Sequence, residues 1–122
     1  MIICITSTGE SLDHQVDPRF GRCRYFIIYN TESDNFEAIP NSNASAGGGA
    51  GVQSGQLMAE KNVEAVVTGN VGPNAFQTLH AGGIEIYTGA GGTVKEAIEN
   101  YKNGRLSKAE SHNVGSKFGL NS

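Results

Sequence analysis

Val63-Glu64-Ala65-Val66-Val67-Thr68-Gly69-Asn70-Val71-Gly72-Pro73-Asn74 and, a little further on, Gly82-Gly83-Ile84-Glu85-Ile86-Tyr87-Thr88 decide the class of fold. Val63–Thr68 and Ile84–Thr88 are short and rich in β-branched residues, as buried strands are. Between them Pro73 stands where its fixed φ suits the first turn of a helix, and Gly82 stands where that helix should stop. A strand, a helix and a strand in that order read as a parallel pair joined by a right-handed crossover.

The same pattern extends outward in both directions. Downstream, Gly89–Gly92 leads into a helix from Thr93, an N-cap with Glu96 at capping-box spacing, and Gly104 ends it. Upstream, a stretch of Asn, Ser, Ala and Gly from Asn41 to Gly51 opens a helix over about residues 52–61, with Val52, Gly55, Gln56 and Ala59 on its packing side. Ahead of that lie three strands with no helix between them. Ile2-Ile3-Cys4-Ile5-Thr6 is apolar on both faces and reads as a central strand. Tyr25–Tyr29 and Asn35–Ile39 are joined by the turn residues of Asn30 to Asp34 and form a hairpin. The expected fold is thus α/β, a five-stranded mixed sheet in the order β-β-β-α-β-α-β-α, in one domain over residues 1–104. Residues 105–122 show no sustained period and read as a loosely held tail.

Composition agrees with a single small domain. The chain has 122 residues, 38% of them hydrophobic and 17% charged, which is not the balance of a disordered polymer. A net charge of −3 argues against general nucleic-acid binding, which needs many phosphate-neutralising cations. The apolar run after Met1 is far short of a membrane span, and no basic leader with an apolar core precedes the first strand. Two cysteines make no disulfide framework, so the expected compartment is the reducing cytoplasm. Glycine is the outlier at 17 residues, about twice the ordinary share.

The strand order places that glycine. Loops after the first, third, fourth and fifth strands, and the start of the second, should share the carboxyl edge of the sheet, where ligands bind in open α/β folds. Four segments meet there: 7–24, 41–51, 69–74 and 89–92. The first holds Arg19-Phe20-Gly21-Arg22-Cys23-Arg24, three guanidinium groups in six residues of an otherwise acidic chain. Planar guanidinium favours carboxylate, phosphate or another anion, although Asp13 and Asp17 are also within reach as ordinary loop partners. Gly47-Gly48-Gly49 precedes a helix and offers backbone N–H groups to an anion, or serves as a tight helix entry. Cys23 lies among the arginines, which should favour its thiolate and make it a soft ligand or redox thiol. His14 is in the same loop and could ligate beside it. Cys4, inside the first strand, reads as core. No two-metal carboxylate cluster or nucleophile elbow is present, so the chain reads as no enzyme.

Asp17-Pro18-Arg19-Phe20-Gly21-Arg22 followed by Tyr25–Tyr29, the glycine run at 47–51, Val66–Ala75 and Gly83–Tyr87 together resemble the dinitrogenase iron-molybdenum-cofactor biosynthesis family. The resemblance spans about residues 1 to 106. It implies a ribonuclease-H-like fold and proteins that carry or receive iron–sulfur precursors of the nitrogenase cofactor without catalysing a reaction. Family members that carry the cofactor have His-Phe-Gly where this chain has Arg19-Phe20-Gly21. Guanidinium offers no lone pair and cannot replace that His as a ligand. On this reading an iron–sulfur or iron–molybdenum cluster would be held by Cys23 and His14 as metal ligands. Arg19, Phe20, Gly21, Arg22, Gly47, Gly48, Gly49, Asn70 and Gly72 would form the rest of the binding site. The implied partner is a cluster donor or acceptor protein, with neither nucleic acid nor membrane involved. The alternative is an interaction or regulatory domain that keeps the fold without the cluster.

Overall fold

The computed structural model describes residues 1–42 and 50–110. Its elements in chain order are β1 (Ile2–Ser7), β2 (Tyr25–Asn30), β3 (Phe36–Pro40), α1 (Ala50–Glu60), β4 (Ala65–Val67), α2 (Pro73–Ala81), β5 (Glu85–Thr88), α3 (Val94–Lys102) and β6 (Ser107–Lys108). They form a mixed sheet in the order β3-β2-β1-β4-β5-β6. β1, β4 and β5 are parallel, β2 runs antiparallel to both β1 and β3, and β6 runs antiparallel to β5. β1 is central, which is why its residues alternate between two buried faces rather than between core and solvent. Cys4 joins Phe26, Ile28, Val66 and Ile86 on the face covered by α1 and α2. Ile3 and Ile5 join Ile27, Tyr29, Ala65 and Val67 on the face covered by α3.

The helices begin where local chemistry requires. Gly72 caps α2 with Pro73 in its first turn, and a full capping box between Thr93 and Glu96 opens α3. α3 buries Val94, Ala97 and Ile98 against the sheet, each large aliphatic side chain contributing roughly 1.5–3 kcal/mol. α1 and α2 approach closely because glycine stands at the crossing. A Cβ on Gly55 would sit 2.6 Å from Cγ2 of Thr78.

Three expectations are corrected. The sheet has six strands, not five, because Ser107–Lys108 pairs with β5 and Ala109 N–H donates to the Ile86 carbonyl at 2.7 Å. Residues 105–110 of the expected tail are therefore joined to the sheet edge; a two-residue strand carries no period by which to read it. α1 runs from Ala50 to Glu60 and buries Ser54, Gly55 and Met58, while Gln56 and Ala59 face solvent. Its small, mixed residues define no clear stripe, so neighbouring elements decide its rotation. Among the described residues no helix is long and apolar enough to cross a membrane.

Candidate functional site

The parallel direction of β1, β4 and β5 brings Ser7, Thr68 and Gly89 to one edge, and the antiparallel hairpin adds Tyr25 and Pro40 to it. The loop between β1 and β2 is not an open strap over this edge. It is laced to its neighbours by backbone hydrogen bonds. Asp17 N–H donates to the Thr6 carbonyl at 3.0 Å, Asn70 N–H to Pro18 at 2.6 Å, and Phe20 N–H to Asn70 at 3.2 Å. Val16 N–H reaches the Gly92 carbonyl at 2.9 Å, and Ala90 N–H that of Thr68 at 3.1 Å. Residues 16–20 thus continue the sheet beyond the end of β4. Gly69 permits this: a Cβ there would lie 2.8 Å from Cα of Pro18. Beneath the loop the buried hydroxyls of Thr6 and Thr68 are 2.8 Å apart, and Thr6 donates to the Asp17 carbonyl at 2.6 Å.

Asp17 is the pivot of the basic segment. Its side chain is buried, and Oδ1 accepts from the backbone N–H of Arg19 at 3.1 Å and from Arg19 Nε at 3.5 Å. Arg19 also donates from a terminal nitrogen to the Arg22 carbonyl at 3.4 Å. The Arg19 side chain nevertheless stays 63% exposed, so solvent screens the pair. Arg22 and Arg24 are exposed beside it. Arg19, Arg22 and Arg24 thus bring three guanidinium groups to one short segment, with the buried Asp17 carboxylate beside Arg19, in a protein whose net charge is −3. Gly21 turns the chain between the arginines with φ of 90°, a conformation open to glycine.

Cys23 departs from its expected chemistry. The thiol is fully buried in the α1/α2 layer with Phe20 and Phe26. Burial pushes its pKa up to about 12, with the nearby Asp17 charge adding to the rise and N–H donors at Cys23, Gly21 and Asn41 opposing it. It is a protonated thiol at neutral pH, not a thiolate, because the exposed guanidinium groups do not offset its loss of hydration. Cys4 is raised well above the usual thiol range, first by burial and then by Cys23.

His14 is not brought to Cys23. Its carbonyl accepts from Val94 at the start of α3, on the opposite face of the sheet. Its ring packs over Gly9, and Nδ1 accepts from Ser11 N–H at 3.2 Å and lies 2.9 Å from Ser11 Oγ. Among the described residues no group of three or more His, Cys, Asp or Glu could hold a metal ion.

The other expected site residues divide. Phe20 is buried, its ring 5.8 Å from that of Phe26, so it anchors the loop from below rather than lining the edge. Asn70 meets the arginine loop through its backbone, in a bridge with Arg19, and Gly72 brings the start of α2 to the same edge. Gly47, Gly48 and Gly49 lie outside the described residues. Asp17 was readable only as an ordinary salt-bridge partner, and Asn41 was not singled out. Asn41 Nδ2 donates to the carbonyls of Gly21 at 3.0 Å and Cys23 at 2.9 Å. Its position directly after Pro40, at the carboxyl end of β3, was the available signal. Two depressions lie elsewhere, one by Met1, Asn62, Glu64 and Gly83, the other by Phe76, His80, Ile86 and Ala109.

Fold and site together define a small mixed-sheet α/β protein with a basic, glycine-turned loop laced across the carboxyl edge. The chain belongs to the dinitrogenase iron-molybdenum cofactor family, whose model matches residues 1–104. It is similar to the orange protein of Desulfovibrio gigas in its apo form, with 34% identity, a TM-score of 0.89, and coverage of 93% of this chain and 96% of that one. A candidate NifB protein from Thermotoga, of the DUF35 family, is 45% identical with a TM-score of 0.78 over 88% and 91% of the two chains. An uncharacterised protein of Methanocaldococcus jannaschii is 33% identical over 101 residues, which is 80% of this chain and 86% of that protein.

Proposed function

We propose that this protein is a non-catalytic carrier for an iron–sulfur or iron–molybdenum cofactor precursor, received from or delivered to a partner protein in the cytoplasm. Family membership supports a role associated with that cofactor. The observation that carries the mode of binding is the cluster Arg19, Arg22 and Arg24, presented at the carboxyl edge around the left-handed turn at Gly21. The donor chemistry fits a cargo of particular character. Cys23 is protonated and enclosed, His14 sits on the other face, and arginine has no lone pair to give. What the edge offers is positive charge, with the start of α2 nearby. Such an edge suits an anionic cargo that brings its own sulfide ligands and is held by charge-assisted hydrogen bonds. The strand order, with an antiparallel second strand before three parallel ones, also supports the ribonuclease-H-like reading of the fold.

Anaerobic reconstitution with ferrous iron, sulfide and molybdate, followed by metal counting and visible absorption, tests this. Wild type is expected to retain metal with a charge-transfer band. Arg19→Ala/Arg22→Ala is expected to lose both, while Cys23→Ser keeps them. No retained metal in the wild type would overturn the carrier role in favour of a protein-docking domain. Loss in Cys23→Ser alone would show that a thiolate, not the arginines, holds the cargo.

A further inference from the structure

Asn41, just past the end of β3, is bonded to the segment Gly21–Arg24 at three carbonyls. Asn41 N–H donates to the Arg24 carbonyl at 2.9 Å, extending the β2–β3 ladder by one rung. The Asn41 side chain then donates to the Gly21 and Cys23 carbonyls, at 3.0 and 2.9 Å, and Nδ2 lies 4.0 Å from Cys23 Sγ. Two carbonyl oxygens facing one amide group require that group to be the NH2, since the amide oxygen could only repel them. Trans peptide planarity has a further effect. With the Gly21 and Cys23 carbonyls turned toward Asn41, the N–H groups of Arg22 and Arg24 are turned the opposite way. Carbonyl oxygens are the groups of this loop that would oppose an anion, and Asn41 gathers three of them.

We propose that Asn41 is the positioning residue of this edge, bolting the Gly21–Arg24 turn so that Cys23 stays enclosed and the guanidinium groups are presented to an anionic ligand. This rests on the carrier reading for the nature of the ligand, but the bolt itself is a property of the free protein. An alanine at 41 removes both side-chain donors. An aspartate keeps the shape but sets a carboxylate against two carbonyl oxygens.

The test uses the full chain as wild type, Asn41→Ala and Asn41→Asp. Each is treated with iodoacetamide under native conditions, and Cys23 and Cys4 are scored separately by peptide mass. Loss of two hydrogen bonds should speed Cys23 alkylation by roughly ten- to thirty-fold. Cys4, inside β1, gauges global unfolding and should not change. The same proteins are then reconstituted with iron and sulfide, and both variants are expected to retain at least several-fold less iron than wild type. Unchanged Cys23 labelling would overturn the bolt, and so would equal acceleration at Cys4, which would mean general unfolding. An opened loop that still holds iron as wild type does would overturn the positioning role. Absence of iron from the wild type itself would instead count against the carrier reading, leaving the labelling result to decide the bolt.

Discussion

Gly69→Ala tests the lacing of the β1–β2 loop most directly. The added Cβ would lie 2.8 Å from both Cα and Cβ of Pro18 and 3.0 Å from its carbonyl oxygen. These are mostly backbone and ring atoms, so no flexible side chain can swing aside. The loop must lift. Lifting it strains two backbone bonds, Asn70 N–H to Pro18 at 2.6 Å and Phe20 N–H to Asn70 at 3.2 Å. Overpacking of this kind costs about 1–3 kcal/mol, and each hydrogen bond weakened adds up to about 1 kcal/mol. A total of roughly 2–4 kcal/mol should lower Tm by about 10–20 °C in a domain of this size. Urea and thermal unfolding of the variant measure it, with Gly91→Ala as the control. Gly91 has nothing within 4 Å of its would-be Cβ and no left-handed φ, so alanine there should be neutral or slightly stabilising. If Gly69→Ala unfolds within a degree or two of wild type, the loop is not held against the Gly69–Asn70 backbone as described. The inference that residues 16–20 extend the sheet would then fail.

Other outcomes follow from single residues. Ser54 is fully buried and its hydroxyl has no hydrogen-bond partner among the described residues; Ser54→Ala should therefore stabilise by about 1 kcal/mol, read as a higher urea midpoint at unchanged slope. Thr93→Ala removes the cap and one half of the α3 capping box and should cost about 1 kcal/mol, whereas Thr93→Ser should recover most of it. Asp34 is held below the usual carboxylate range, first by the Tyr29 hydroxyl and then by Lys102. Its contribution is present above the unfolded carboxylate pKa and lost as pH falls through the folded value, so Asp34→Asn should flatten the acid limb of the stability curve. Cys23 has the opposite sense. A thiol raised to about 12 in the folded protein favours folding fully below the ordinary thiol pKa and loses that contribution as pH climbs toward 12. Cys23→Ala should therefore show a shallower alkaline decline in urea midpoint than wild type.

Much of the architecture was legible because it rests on local pattern. The unbroken apolar run Ile2–Ile5, the turn residues before Asn35, Pro73 at a helix start and the Thr93–Glu96 spacing are near-neighbour signals, and each element they announce is present. α1 was legible as a helix but not in its rotation. Gly51, Gly55 and Ser54 carry too little side chain to announce a face, and α2 chose it through contacts such as Gly55 with Thr78. β6 was not legible, since two exposed residues become a strand only when β5 is there to pair with them.

For the site, the sequence by itself determined which chemistry gathers at the carboxyl edge: three arginines about a glycine. Only the tertiary structure decided which of those groups can act. Cys23 and His14 are nine residues apart in one loop, yet one enters the α1/α2 core and the other meets α3 across the sheet. Asn41, remote in sequence, proved to hold the loop. Protonation and reach depend on burial and on partners contributed by distant strands, and linear spacing carries neither. Periodicity records which residues a strand or helix turns inward; it does not record which face of the sheet a loop will cross to reach its partners.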